Sequence, residues 1–187
     1  MRDGTFPMLP LHRSRFEATG LRFFGRAAPF PDLSGIAREN PGGTFKVRIV
    51  YGRDVESVEA APYAPRRVAS LKVVESAPFD YSSKFLDRAR LEELFEMRGA
   101  CDDVIISVGG NVTDTSFSNL AFLKGGKLYT PDTFLLDGVR RRAMMACGSL
   151  HPARIRASDI KDFERVFIIN AMRGPEDYPG TETERVE

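Results

Sequence analysis

The chain has 187 residues, 42% of them hydrophobic and 14 of them Phe, which is enough to bury a substantial core in one domain or two small lobes. A formal net charge of +1 gives no global pull toward nucleic acid or membrane, no apolar run reaches membrane-spanning length, and the opening MRDGTFPMLP lacks the apolar core of a signal peptide. Two cysteines, Cys101 and Cys147, and two histidines, His12 and His151, show no metal-ligand spacing, so free thiols, no metal and a reducing cytoplasm are expected.

From Pro10 the segment LHRSRFEATGLRFFG predicts an amphipathic helix, with Leu11, Phe16 and Phe23 at roughly helical spacing. A shorter helix opens at Asp32-Leu33-Ser34 and is closed by Gly42-Gly43. Three β segments follow, at residues 44–51, 57–63 and 67–75, and the Gly52-Arg53-Asp54 turn makes them an antiparallel meander in a small α+β lobe spanning residues 1–76. Residues 77–83 read as a linker and residues 82–98 as a helix with Phe85, Leu86, Leu91, Leu94 and Phe95 near one face.

The larger lobe, residues 84–174, holds two hairpins. The first turns at Gly109-Gly110-Asn111 and the second at Gly125-Gly126. After Pro131, Leu135-Leu136-Asp137-Gly138-Val139-Arg140-Arg141 opens an apolar helix that ends at Gly148. Its first backbone N–H groups, with arginines beside them, make an anion site. A short strand at 153–156, a turn capped at Ser158-Asp159-Ile160, and a buried strand at 166–169 follow, and the tail 175–187 has almost nothing to bury and is expected to be disordered.

Taken singly, the polar residues allow plain readings. Lys84 is a solvated helix residue, Asp114 a turn-capping carboxylate among Thr115, Ser116, Ser118 and Asn119, and Arg15 the polar face of the first helix. Arg48 and Tyr81 are ordinary strand and linker surface. Only six of the 27 basic residues are Lys, and arginine's planar fork suits carboxylate and phosphate ligands, although an Arg-rich composition is also common background.

Together, however, the order of carboxylate, small polar run, Asn119-Leu120, glycine hairpin, Tyr129-Thr130-Pro131 and Leu136-x-Gly138-x-x-Arg141 resembles the class IV aminotransferase family of pyridoxal phosphate enzymes. The resemblance runs from about Gly4 to Gly174 and implies a two-lobed α+β enzyme of fold type IV, a small α+β lobe plus a larger mixed α/β lobe. It implies a chain shortened at both ends, with a true start upstream or a compact branch as the alternatives. Lys84, in Lys84-Phe85-Leu86-Asp87-Arg88, is similar to the lysine that carries the cofactor in 4-amino-4-deoxychorismate lyases, with Arg88 one turn on to lower its pKa. Asp114 matches the carboxylate that faces the pyridine nitrogen, usually Glu, so with one methylene fewer either the backbone sits closer or the contact is looser.

For the phosphate, the resemblance implies Arg15, the Gly138, Val139 and Arg140 loop, and Asn170 with Ala171, with Ser116 near the cofactor. In that loop Arg140 replaces the common Thr. Substrate contacts from Arg48 and Tyr81 are the weakest part of the pattern. The implied function is a lyase yielding p-aminobenzoate and pyruvate for folate synthesis. The alternatives are a branched-chain or D-amino-acid aminotransferase, or a family member that binds the cofactor without turnover. A small-molecule amino substrate and a homodimer complete the expectation.

Overall fold

The computed structural model describes all 187 residues, which form two compact units, Met1–Pro65 and Arg66–Glu187. In the first, α1 (Leu9–Phe24) starts with Pro10 in its opening turn, where the missing N–H costs nothing. It stops at Gly25, whose φ of 70° is left-handed and whose N–H donates to Leu21 O at 3.1 Å. The Asp32 carboxylate accepts from Ser34 N at 2.9 Å and opens α2 (Ser34–Glu39). Strands β1 (Phe45–Tyr51) and β2 (Val55–Pro62) pair antiparallel around Ile49 and Val58. Phe16, buried on α1, packs its ring 4.2 Å from Tyr51 and 5.3 Å from Phe30, so one aromatic cluster joins helix and sheet.

The second unit is built on eight strands. Strand β3 (Leu71–Ser76) runs parallel to β4 (Asp103–Val108) through a crossover that contains α3 (Ala89–Glu96). Hairpins then add β5 (Asn111–Thr115), β6 (Asn119–Lys124) and β7 (Lys127–Pro131). After α4 (Val139–Ala146), β8 (His151–Ala153) pairs with β7, β9 (Arg165–Ile169) with β6, and β10 (Thr181–Glu182) with β9. The main path is therefore β10-β9-β6-β5-β4-β3.

Both faces of this sheet are covered, which is why β4 reads as a continuous apolar run rather than an alternating one. Val104 and Ile106 point to α3 and join Leu91, Leu94 and Val74, whereas Ile105 joins Leu71, Val112, Leu120 and Phe122 in the opposite core. Residues of β6 divide in the same way: Ala121 faces Leu150 and Ile169, with Met144 and Met145 of α4 packed against them.

Three expectations need correction. Residues 71–76 do not close a meander in the small lobe, because Leu71 and Val74 are both buried and β3 needs the two-sided cover that β4 and α3 supply. The helix predicted over 82–98 begins only at Ala89. Upstream of it, Asp80 accepts from Ser82 N and Ser82 Oγ, and Asp87 accepts from Ala89 N, so side chains offer the backbone turns in place of a helix. The tail is ordered. Val186 is buried in the main core, Glu187 exchanges backbone bonds with Leu71 and Val73 along the free edge of β3, and Lys161 Nζ donates to Thr183 O and Val186 O at 2.7 Å each.

Ending the chain at Gly174 should therefore lower stability by at least about 2 kcal/mol, since Val186 alone is worth that much buried. Urea unfolding of the truncated protein checks this; an unshifted midpoint would show the tail to be dispensable.

Candidate active site

The polar residues of the second unit converge where β5, β6 and β9 meet the loop that opens α4. The Asp114 side chain is buried at the end of β5 and paired in register with Asn119, the first residue of β6. Its Oδ1 accepts from Asn119 Nδ2 at 2.7 Å, and its Oδ2 accepts from Leu135 N and Leu136 N at 2.9 Å each. Asn119 Nδ2 also donates to Leu136 O at 2.7 Å. The carboxylate and the amide together fasten the connection between β7 and α4.

Gly138 follows from this packing. A Cβ there would lie 2.0 Å from Asn119 Oδ1, so only glycine lets the helix start pass so close to the amide. Arg141, buried one turn inside α4, donates from Nε to Thr130 Oγ1 at 3.3 Å and from a terminal nitrogen to Pro131 O at 3.0 Å. It also pairs with Asp137 at 3.2 Å. The loop is thus tied at both ends.

Val139 and Arg140 present the first N–H groups of α4, which have no acceptor within a helix. Arg140's guanidinium does not turn inward. It pairs with Glu176 at 3.0 Å and donates to Asn170 O at 3.4 Å, leaving its backbone N–H as the group available to an anion. Asn170, at the end of β9, donates from Nδ2 to Ser118 Oγ at 2.8 Å, and Ala171 follows it, half-buried. Ser116 is buried, its carbonyl accepting from Arg88 at 2.7 Å, and it lies beside the buried Asp103, which accepts from Arg66 at 2.8 Å.

Lys84 is exposed and lies in irregular chain rather than on a helix. Arg88, expected one helical turn away, instead donates to Ser116 O at 2.7 Å and to the Tyr81 hydroxyl at 3.3 Å. Tyr81 is buried against Leu91, Leu94 and Val104, and its hydroxyl donates to Phe85 O at 3.4 Å. Arg15, half-buried on α1, and Arg48, exposed on β1 opposite Glu59, belong to the first unit. Sequence reading noted Asn119 and Arg141 only as motif positions and Arg88 only as a neighbour of Lys84; their roles as ties within the site come from the fold. Asn119 stood in the polar run already noted, and a buried carboxylate's need for donors was the signal that pointed to it.

Electrostatics follow burial. Desolvation pushes the Asp114 carboxyl up to about 6, against the pull of the Leu136, Asn119 and Leu135 donors and of Arg141. The donor chemistry fits pyridoxal phosphate. Helix-start amides and the Asn170 side chain suit a phosphate, and the Asp114 carboxylate, with three of its roughly four acceptor directions used, has capacity for a pyridine N–H.

Known proteins agree with this fit. A family model for class IV amino-transferases matches residues 2–175. An uncharacterised protein of Haemophilus influenzae is 33% identical over 178 residues, 93% of this chain and 95% of that one. A Haemophilus somnus crystal structure, described as a candidate 4-amino-4-deoxychorismate lyase, superposes with a TM-score of 0.84 at 29% identity, covering 92% of this chain and 93% of that one. A hypothetical aminotransferase of Mycobacterium tuberculosis, solved with pyridoxal phosphate bound, gives a TM-score of 0.74 at 19% identity, covering 100% and 78% of the two chains, and shows the fold. The architecture is that of the fold-type IV pyridoxal phosphate enzymes. The chain belongs to the class IV aminotransferase family.

Two measurements probe the site. Gly138→Ala should cost about 2–3 kcal/mol in urea unfolding, because Asn119 must give up Asp114 and Leu136 or the loop must shift. An unchanged midpoint would show that Asn119 moves freely.

The folded pKa of Asp114 lies above its ordinary 3.8, so the native state holds the extra proton between the two values. The stability linked to this group is fully present below about pH 4 and is lost as pH rises through about 6, an effect on the order of 3 kcal/mol. Comparing unfolding of the wild type and Asp114→Asn across that range should show this component only in the wild type. Parallel pH profiles would contradict it.

Proposed function

We propose that the protein is a pyridoxal phosphate-dependent lyase acting on 4-amino-4-deoxychorismate, with p-aminobenzoate and pyruvate as products and folate synthesis as the setting. The observation that carries this reading is the pairing of two lyase-like segments in one unit. Lys84-Phe85-Leu86-Asp87-Arg88 is tied to the Asp114 hairpin through Arg88, and Asn170-Ala171 is tied to the same hairpin through Ser118. The description of the Haemophilus somnus structure points the same way.

In this reading the cofactor supplies a carbonyl that condenses with amines and a ring that accepts the electrons of a carbanion formed beside it. Val139 N–H, Arg140 N–H and Asn170 would hold the phosphate, and Gly138 and Ala171 keep that end free of bulk. Asp114 would accept from the ring nitrogen and favour its protonated form. A cation there favours the carboxylate and draws the Asp114 pKa down from about 6, so loading at mildly acidic pH releases a proton from Asp114. Lys84 would hold the cofactor and, as a neutral amine, would take the proton from the substrate ring carbon bearing nitrogen. Pyruvate leaves as its enol, and formation of the aromatic ring drives the step. Ser116, two residues beyond Asp114, ties Arg88 to the hairpin and would lie near the cofactor.

A homodimer in the cytoplasm belongs to this reading. The second reading, an aminotransferase for a branched-chain or D-amino acid, uses the same Lys84 to move a proton between the substrate α-carbon and the cofactor. It draws support from the fold shared with aminotransferases.

Protein loaded with pyridoxal phosphate should show an absorbance band that borohydride fixes to the peptide containing Lys84, and should release p-aminobenzoate from 4-amino-4-deoxychorismate. Lys84→Ala should lose the band and at least about a thousandfold in turnover. A band with amino transfer but no p-aminobenzoate selects the aminotransferase. A band with neither selects a cofactor-binding member without turnover.

A further inference from the structure

We propose that Arg88 is a positioning residue that sets the separation between Lys84 and the Asp114 hairpin, and so governs how fast Lys84 condenses with the cofactor. This rests on the reading of Lys84 as the cofactor-bearing lysine. Residues 77–88 contain no helix or strand, and Lys84 stands exposed in the middle of them. No ladder of backbone bonds can therefore hold the lysine in register with the sheet. Side chains do this instead. The Asp80 to Ser82 turn shapes the segment before Lys84, the Tyr81 ring packs edge-on against Phe85 at 6.0 Å, and Asp87 starts α3 by accepting from Ala89 N at 2.9 Å.

These contacts are all local. The Arg88 fork adds a polar tie to the hairpin beside the apolar packing of Tyr81 and Phe85 with Val104 and Ile106, with one terminal nitrogen on Ser116 O at 2.7 Å and the other on the Tyr81 hydroxyl at 3.3 Å. Arg88 and Ser116 are 28 residues apart in sequence, with α3, β4 and β5 between them, and Ser116 stands two residues beyond Asp114. A single guanidinium thus shortens the connection between the covalent end and the ring-nitrogen end of the site. Lysine at position 88 would keep the charge, but a compact ammonium on a flexible stem does not present two donors in a fixed fork. A displacement of about 1 Å at a reacting group is enough to slow a reaction by around a hundredfold.

The experiment compares two ligands on the full chain. Pyridoxal 5′-phosphate condenses with a lysine, whereas 4-deoxypyridoxine 5′-phosphate has the same ring and phosphate but no aldehyde. For Arg88→Lys, condensation followed by stopped-flow absorbance should slow by about tenfold or more, while affinity for the deoxy analogue stays within about twofold of the wild type. Tyr81→Phe, which removes one of the two acceptors, should slow condensation by about threefold with the same unchanged analogue affinity. This second variant keeps the test open if Arg88→Lys fails to fold.

Equal losses for both ligands in both variants would make Arg88 a general structural contact and overturn the proposal, as would unchanged condensation. If wild-type protein binds the analogue yet no condensation involves Lys84, the reading of Lys84 fails first and takes this inference with it.

Discussion

The buried carboxylate of Asp114 is the constraint on which the site depends. A charged oxygen pair with little access to water must find donors, and here it finds Asn119 on the neighbouring strand and two consecutive amides of the loop before α4. Those donors decide where the loop lies, the loop decides where α4 begins, and Asn119 permits only glycine at position 138. One buried carboxylate therefore also sets where the first amides of α4 lie. The elevated pKa of Asp114 is the electrostatic cost of this arrangement.

The sheet makes that geometry possible. Strand β4 is covered on both faces, by α3 and Tyr81 on one side and by Leu71, Leu120 and Phe122 on the other. Buried apolar strands of this kind hold position to within side-chain packing. The polar groups are confined to the ends of β5, β6 and β9 and to the segments that leave them. Polar side chains on strand ends above a packed core are held more firmly than the same side chains on free loops.

Arginine's dominance over lysine acquires a structural meaning in the second unit. Arg66 pairs with buried Asp103, Arg88 donates to Ser116 O, Arg140 to Asn170 O, Arg141 to Pro131 O, and Arg173 to Arg66 O. Each spans two segments, and four of the five satisfy a backbone carbonyl. A planar fork that cannot lose its charge suits that task. The sequence composition suggested anion ligands or mere background, but internal ties account for these five.

What the sequence determined by itself was local. Gly109-Gly110-Asn111 and Gly125-Gly126 specify their hairpins through positive φ, the apolar run of 166–169 specifies a buried strand, and the order of motifs specifies the family. Asp114 and the Gly138 loop were recognisable as special because their neighbours in the chain are unusual. Tertiary structure alone decided the rest. Whether residues 71–76 joined the first sheet or the second depended on which partner could cover both faces. Whether 82–88 was helix depended on Tyr81 needing burial and Arg88 needing Ser116. The ordered tail depended on an open edge of β3 that forms only after α3 has crossed over. The partners of Asp114 lie 5, 21 and 22 residues away, beyond any helical or strand period, and burial is what makes them obligatory.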